Sequence, residues 1–286
     1  MKLKIGIFDS GIGGFTILRS LLKTRKDVEV FYLADTKRIP FGNKNFKEIR
    51  LIAKQICNFF EDKNLDALLI ACNTTNACAL DIVEKDLKIP CFDLINSVSE
   101  IVNRQIVGIL ATETTVRSSF YKKVLISKKG NLKIFQNECP EFVSEIEKEK
   151  LDFVKLNNLA ELYLKPLLNE NIEELILGCS HYPLIYDFLR KKINSDIKII
   201  DPAEALIKKF NESFPIPKTE CFESISFENV KFFVTSDRDK FSNKVKFWLG
   251  INKEIIGVLA TQTTVRSSYY KNAISFKKEN SKIFQQ

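Results

Sequence analysis

Two segments of the chain place a cysteine directly after a run of apolar residues. Cys72 follows Leu-Leu-Ile-Ala within residues 68–75, and Cys179 follows Leu-Ile-Leu-Gly within residues 175–181. Each pattern predicts a buried parallel strand that ends at a thiol, followed by polar residues that can begin a helix. Because ligands of open α/β sheets bind at the carboxyl ends of the strands, the two thiols are candidates for a pair of proton-transfer groups in one pocket.

A glycine-rich turn follows the first predicted strand, Lys4–Phe8. Residues 9–14 are Asp-Ser-Gly-Ile-Gly-Gly. Such a turn can hold a nucleotide phosphate, but its spacing is not Gly-x-Gly-x-x-Gly and no Gly-Lys-Thr follows. The turn can instead present Asp9 and Ser10 at the edge of the sheet. There the carboxylate could orient a nearby thiol or exchange a proton with it.

The elements that must position these residues alternate between strands and helices, which predicts an α/β fold of mostly parallel sheets covered by helices. The predicted strands are Lys4–Phe8, Glu29–Leu33, Ala67–Ala71, Pro90–Asp93, Val107–Ala111, Leu175–Leu177, Lys198–Ile200 and Lys231–Val234. The amphipathic stretches between them include Phe46–Phe60, Leu159–Leu168, Leu184–Lys192 and Lys240–Leu249. The segments Asn96–Gln105 and Pro215–Pro217 are predicted crossings between two lobes.

Length and composition are those of a soluble enzyme with two domains, since 286 residues suffice for two cores. No apolar run is long enough to span a membrane and no signal-peptide pattern begins the chain, so we expect a cytoplasmic protein. The seven cysteines are an odd number in a chain without secretion signals, which favours reduced thiols over disulfides. We interpret five of them as inert small hydrophobic residues: Cys57, Cys78, Cys91, Cys139 and Cys221.

The formal net charge of +8 comes mostly from lysines that are scattered along the predicted helices, without a dense basic block. A solvated lysine-rich surface explains this charge more simply than a nucleic-acid interface does. We therefore expect neither a nucleic acid nor a membrane as a partner.

A segment of the chain is duplicated. Residues 106–136 recur as residues 255–285, with 20 identities in 31 aligned positions. A solenoid needs at least three repeats, so this is a single local duplication. The copy contains neither cysteine motif. We interpret it as a genetic duplication appended to a complete domain. The alternative is that the copy packs somewhere on the protein, or competes with the original for its place in the sheet.

The motifs, taken in order, resemble those of the glutamate racemases in the aspartate/glutamate racemase superfamily. The matching segments are Asp-Ser-Gly-Ile-Gly-Gly at 9–14, Pro-Phe-Gly at 40–42, Ala-Cys-Asn-Thr-Thr at 71–75, the stretch 108–121 with its threonines, and Gly-Cys-Ser-His-Tyr-Pro at 178–183. The resemblance covers roughly residues 4–250. It implies two pseudo-symmetric α/β lobes, 1–95 with 207–250 and 96–206, with the active site between them and 251–286 as the appended duplicate.

The resemblance also implies a reaction without a cofactor or metal, in which one cysteine removes the Cα proton and the other protonates the opposite face. Cys72 would act on D-glutamate with the help of Asp9, and Cys179 on L-glutamate with the help of His181. The residues expected to bind the substrate are Asp9, Ser10, Phe41, Gly42, Asn73, Thr74, Thr112, Thr115, Ser180 and His181. The expected product is D-glutamate for bacterial peptidoglycan, and we expect a homodimer.

Physical chemistry supports two thiols independently, because inversion through a planar carbanion needs an acid and a base on opposite faces. A free cysteine has a pKa of about 8.5, so little thiolate forms at neutral pH unless this pKa is lowered. We expect the helix N-termini at both thiols to favour the thiolates. Two residues depart from the family pattern. Ser180 replaces the usual threonine and keeps its hydroxyl, whereas Phe41 replaces tyrosine and loses one.

Three alternatives remain open at this stage. An aspartate racemase would share the chemistry, although that branch typically has an acidic residue where His181 stands. A zinc or redox protein would use the same thiols, but neither Cys-x-x-Cys nor a paired ligand spacing is present. A non-catalytic binding protein, for example a regulator of a nucleic-acid enzyme, would fit the basic charge.

Overall fold

The computed structural model describes residues 2–217 and 225–258, which form strands and helices in alternation. The strands are β1 Leu3–Asp9, β2 Val28–Ala34, β3 Ala67–Ile70, β4 Cys91–Asp93, β5 Ile106–Ala111, β6 Lys133–Glu138, β7 Glu174–Gly178, β8 Lys198–Ile200, β9 Val230–Val234 and β10 Ile255–Gly257. The α-helices are α1 Phe15–Thr24, α2 Phe46–Glu61, α3 Asn73–Asp86, α4 Leu94–Ile101, α5 Glu113–Ser118, α6 Phe120–Lys129, α7 Phe142–Ile146, α8 Phe153–Leu168, α9 Tyr186–Arg190, α10 Pro202–Ser213 and α11 Arg238–Leu249. Short 3₁₀ helices cover Phe41–Asn43 and Tyr182–Ile185.

The strands form two parallel sheets, so the predicted α/β class is confirmed. The six-stranded sheet has the order β10-β9-β2-β1-β3-β4, and the four-stranded sheet has the order β6-β5-β7-β8. We call the first sheet with its helices the first lobe, and the second sheet with its helices the second lobe. Strands β1 and β7 are fully or almost fully buried along their length, as expected when helices cover both faces of a parallel sheet.

The helices bury apolar stripes against these sheets. Helix α2 begins with a capping box in which Asn45 accepts a hydrogen bond from the Glu48 amide and the Glu48 carboxylate accepts one from the Asn45 amide. Its buried residues recur with helical spacing and pack against the first lobe: Ile49, Ile52, Ala53, Ile56, Cys57 and Phe60. Cap and stripe together fix where the helix starts and which face it buries.

The sequence patterns located eight of the ten strands in the described residues to within one residue at each end. Strands β6 and β10 were not predicted. The stretch predicted as one helix over Leu184–Lys192 is a 3₁₀ turn followed by α9. The crossing predicted at Asn96–Gln105 is mostly helical, because α4 extends to Ile101 and only a short loop then leads to β5.

The duplicated segment contributes to both sheets. The original residues 106–111 form β5, which lies between β6 and β7. The first residues of the copy form β10, which pairs in parallel with β9 at the edge of the other sheet, with Ile255 opposite Phe232. The remainder of the copy, including Thr261 and Thr264, lies outside the described residues, as does Cys221.

The side chain of Asn76 joins three segments near the end of β3. Its Nδ2 donates to the carbonyl oxygens of Ile70, at 2.9 Å, and Cys72, at 2.7 Å, while its Oδ1 accepts from the Leu94 amide at 2.6 Å. The side chain is buried, so its loss would remove three hydrogen bonds from buried backbone, although the Cys72 carbonyl would keep the Asn76 amide as a donor. Asn76 therefore fixes the backbone that carries the Cys72 thiol.

We expect Asn76→Ala to lower the free energy of unfolding by about 2–4 kcal/mol, because it leaves buried backbone groups without partners. Urea denaturation followed by circular dichroism measures the loss. The matched control is Asn45→Ala, which removes an exposed helix cap and should cost only about 1 kcal/mol. Equal losses in the two variants would contradict the role assigned to Asn76.

Candidate active site between the two lobes

A cavity lies at the carboxyl ends of the strands, where the two lobes face each other. Both cysteines of the sequence motifs line it, one from each lobe. The complete lining is Ser10, Phe41, Gly42, Cys72, Asn73, Thr74, Thr112, Val143, Cys179, Ser180 and His181. The structure thus brings together ten residues that the sequence singled out and adds Val143.

Cys72 is the residue that precedes helix α3, and its side chain is buried. Burial and the nearby Asp9 carboxylate raise the pKa of this thiol to about 12, although the hydroxyl and amide of Thr75 act in the opposite direction. The amide at the start of α3 favours the thiolate as expected, but desolvation outweighs it. The raised pKa keeps the Cys72 thiol neutral at neutral pH.

Cys179 follows β7 directly, but it does not lie at the start of an α-helix. The next helical residues form the 3₁₀ turn Tyr182–Ile185, and the Tyr182 amide donates to the Cys179 carbonyl at 3.1 Å. The expected helix N-terminus is thus absent at this thiol. Its polar neighbour is His181, whose Nδ1 lies 3.8 Å from Cys179 Sγ.

His181 is buried between Cys179 and the carboxylate of Glu147, whose Oε1 lies 2.7 Å from His181 Nε2. Burial alone would lower the pKa of His181, but hydrogen bonds to Cys179 and Glu147 raise it well above its ordinary value. Burial would likewise raise the pKa of Glu147, yet His181 and Lys244 lower it to about 2. The pair is therefore an imidazolium held by a carboxylate.

The second oxygen of Glu147 accepts a hydrogen bond from Lys244 of α11, and its Oε1 also accepts the Ile12 amide at 3.0 Å. Both Ile12 and Lys244 belong to the first lobe, because α11 packs there through Phe241. Glu147 thus joins the second lobe, which carries it, to the first.

Asp9 makes the reciprocal connection. Its carboxylate accepts the Gly11 amide at 3.0 Å and the Ser180 hydroxyl at 2.9 Å, so a first-lobe acid is held by a second-lobe residue. The turn approaches the second lobe so closely that a Cβ at Gly13 would lie 2.3 Å from Ser180 Oγ. Only glycine fits at this position without displacement of the neighbouring loop.

Asn73 and a group of three threonine hydroxyls form the polar wall of the cavity. Asn73 Oδ1 accepts from the buried Tyr121 hydroxyl at 2.6 Å, which leaves its buried Nδ2 without a protein partner. The hydroxyl of Thr74 lies 3.0 Å from that of Thr112, which lies 2.9 Å from that of Thr115. Thr115 supports Thr112 and does not itself line the cavity.

Phe41 and Gly42 close the cavity from the first lobe. Phe41, which stands where the family usually has tyrosine, is buried, and its ring packs against Phe8 with ring centroids 6.2 Å apart. A Cβ at Gly42 would lie 2.5 Å from Thr112 Cβ, and the Gly42 carbonyl accepts the Thr114 hydroxyl at 2.7 Å. This contact draws the second lobe against the first.

Four residues that support the site were not predicted from the sequence: Glu147, Lys244, Tyr121 and Asn76. Glu147 lies in the run Glu-Ile-Glu-Lys-Glu-Lys at 145–150, which has the composition of a solvated surface. Lys244 is one of many lysines in an amphipathic helix. Only the position of Tyr121 at the end of the motif 108–121 offered a signal.

The structure also bears on the zinc alternative and on membrane association. Within residues 2–217 and 225–258, no three His, Cys, Asp or Glu side chains lie together in an arrangement that could hold a metal ion. This observation gives the zinc alternative no support. In the same residues, no helix combines the length and the apolarity that crossing a membrane requires.

Comparison with known proteins identifies the family. The family model described as Asp/Glu/Hydantoin racemase matches residues 16–210. A glutamate racemase of Prochlorococcus marinus (strain NATL1A) is 44% identical over 253 residues, which cover 88% of this chain and 96% of that protein. The structure of a glutamate racemase from Francisella tularensis in complex with D-glutamate has a TM-score of 0.79 at 34% identity, covering 92% of this chain and 99% of that chain.

A glutamate racemase isoform from Bacillus anthracis has a TM-score of 0.80 at 26% identity, and the alignment covers 90% of this chain and 97% of that chain. This fold likeness extends over both lobes, well beyond the residues that the family model matches. The family model, the sequence relative and the two structures agree. The chain belongs to the Asp/Glu/hydantoin racemase family.

Proposed function

We propose that the protein interconverts L-glutamate and D-glutamate. The observation that carries the proposal is the pair of buried thiols, Cys72 and Cys179, which come from different lobes and line one cavity. The glutamate racemase names of the relatives and the D-glutamate bound in the Francisella tularensis structure support glutamate as the substrate.

The two thiols would act on opposite faces of Cα. Cys179 would remove the proton of L-glutamate while Cys72 delivers a proton to the other face, and the roles reverse for D-glutamate. The protonation states favour the first direction: Cys72 is a neutral thiol and can donate a proton, and the His181 imidazolium stabilises negative charge at Cys179 Sγ. General acid–base catalysis of this kind contributes roughly 10²–10⁴-fold.

Hydrogen-bond donors in the cavity would hold the substrate and stabilise the carbanion. Asn73 Nδ2 is a buried donor without a protein partner, which suits a substrate carboxylate. The other proposed contacts are Ser10, Phe41, Gly42, Thr74, Thr112, Ser180 and His181. Asp9 and Thr115, expected to bind substrate, do not line the cavity and would act through Ser180 and Thr112. Donors fixed in a dry cavity stabilise developing charge more strongly than water does, because they need no reorganisation.

The physiological setting is part of the proposal. D-glutamate would supply bacterial peptidoglycan synthesis, and the enzyme would act in the cytoplasm without a cofactor. The six cysteines in the described residues are free thiols, which supports a reducing compartment.

The first experiment removes each thiol. We expect Cys72→Ala and Cys179→Ala each to lower kcat/KM at least about 10³-fold in both directions, because inversion needs both groups. Circular dichroism at 37 °C, started from each enantiomer, measures both rates. Cys57→Ala is the control, since Cys57 lies buried in the first-lobe core away from the cavity, and it should retain activity within a few-fold. Full turnover by either site variant would disprove the mechanism.

The substrate is tested with deuterium. Incubation of the purified chain with L-glutamate in deuterated water, without pyridoxal phosphate or metal, should yield D-glutamate that carries deuterium at Cα, because the proton comes from a solvent-exchanged thiol. Chiral chromatography with mass spectrometry follows both properties, and L-aspartate serves in parallel. Inversion of aspartate alone would keep the mechanism and change the substrate. No exchange with either amino acid would favour a non-catalytic role.

We also propose that the chain forms a homodimer. Apolar side chains of α8 that stay exposed in one chain, Phe153, Val154 and Leu162, support an interface on the protein surface. Light scattering coupled to gel filtration should give about 66 kDa, twice the 32.9 kDa of one chain. A mass near that of one chain at micromolar concentration would contradict the dimer.

A further inference from the structure

Lys244 is a residue of α11, outside the matched family region 16–210, and its side chain reaches Glu147 behind the cavity lining. Its neighbours Phe241 and Val245 anchor the helix in the first-lobe core. The Lys244 side chain is 11% exposed, and its Nζ donates to Glu147 Oε2. A lysine this buried is uncommon unless an opposite charge pairs with it.

Glu147 divides its two oxygens between two cations. Oε1 accepts His181 Nε2 and the Ile12 amide, whereas Oε2 accepts Lys244. The other titratable groups that face this pair are Cys179, at His181 Nδ1, Asp9, which is held through Ser180, and Tyr32, whose hydroxyl donates to the Gly11 carbonyl.

We propose that Lys244 is a positioning residue for the reaction: by sharing the Glu147 carboxylate, it sets how firmly His181 holds its proton beside Cys179. This inference rests on the proposed function for its catalytic meaning, but the proton affinity of His181 can be measured without turnover. Lys244 itself touches neither thiol.

The physical reason is competition between two like charges for one anion. A cation on Oε2 weakens the attraction that Oε1 exerts on the imidazolium, and it also repels that imidazolium directly. Without Lys244, Glu147 would bind the His181 proton more tightly. Lys244 also balances charge. Asp9 and Glu147 are two carboxylates behind the cavity lining, and the His181 imidazolium balances only one of them. Lys244 balances the second and so lowers the repulsion of an anionic substrate.

The chain contains one histidine, which makes the test direct. In protein labelled with ¹⁵N-histidine, the ring nitrogen shifts report His181 alone, from pH 6 to pH 10. We expect Lys244→Gln and Lys244→Met to raise the pKa of His181 by at least about half a pH unit, and Lys244→Arg to restore it. Lys246→Met is the control, because Lys246 is exposed on the same helix and should leave the titration unchanged.

Kinetics provide the second readout. Both enantiomers have equal energy, so kcat/KM must fall by the same factor in the two directions, and we expect about tenfold for Lys244→Gln. Because Lys244 acts through Cys179, the primary isotope effect should rise for Cα-deuterated L-glutamate and not for the D-enantiomer. A general structural defect would change both isotope effects alike.

The outcomes separate this inference from the proposed function. If the pKa of His181 is the same in the wild type, Lys244→Gln and Lys244→Met, the inference is overturned, even if the wild type racemises glutamate. A raised His181 pKa in a protein that does not racemise glutamate would keep the electrostatic coupling and refute the proposed reaction. If Lys244→Met fails to fold, Lys244→Gln decides, because it keeps a hydrogen-bond donor and removes only the charge.

Discussion

Two carboxylates join the lobes, the buried Asp9 and the half-buried Glu147, and each accepts hydrogen bonds from donors of the opposite lobe. Asp9 on β1 needs the Ser180 hydroxyl, and Glu147 needs Ile12 and Lys244. A buried carboxylate that loses its partners costs several kcal/mol, so the lobes can separate only when water or substrate replaces these donors. Glu147 therefore both joins the lobes and holds the proton of His181.

This dependence explains why the thiols differ in their surroundings although their sequence motifs look alike. Cys72 is buried near the Asp9 carboxylate, and both effects keep its thiol neutral. Cys179 lies beside an imidazolium that Glu147 holds in place. One thiol is therefore neutral while the other faces a positive charge, which is the arrangement that the proposed reaction needs when it starts from L-glutamate.

Most of the fold and the centre of the site could be predicted from the sequence, because their signals are local. A buried parallel strand needs only a short apolar run, and a cysteine at its carboxyl end must lie at the edge of the sheet that binds ligands. The resemblance to the racemase family added the partners of each thiol. Strand β6 was missed because its sequence, Lys-Ile-Phe-Gln-Asn-Glu, is polar enough to look like a loop and its side chains are only partly buried.

The residues that could not be predicted act over long distances along the chain. Glu147 meets His181 across 34 positions and Lys244 across 97, and nothing near either residue in the sequence indicates the partner. Asn76 could not be predicted for the same reason, because its side chain accepts a hydrogen bond from the Leu94 amide, 18 positions away. Such contacts depend on how the two lobes pack against each other, and the periodicity of the sequence gives no information about that packing.

The original segment and its copy differ at positions that matter for packing in the second lobe. Gly130 ends helix α6 with φ 76° and ψ −129°, a conformation open to glycine and strained for other residues, and the copy has Glu279 at the equivalent position. The buried Leu125 corresponds to Ile274, and the half-buried Leu132, which packs against the second-lobe core, corresponds to Ser281. The copy keeps the counterparts of Thr112 and Thr115 but differs from the original at these three positions. These differences favour the original in the second lobe, where it forms β5, whereas β10 pairs with β9 at the edge of the first sheet.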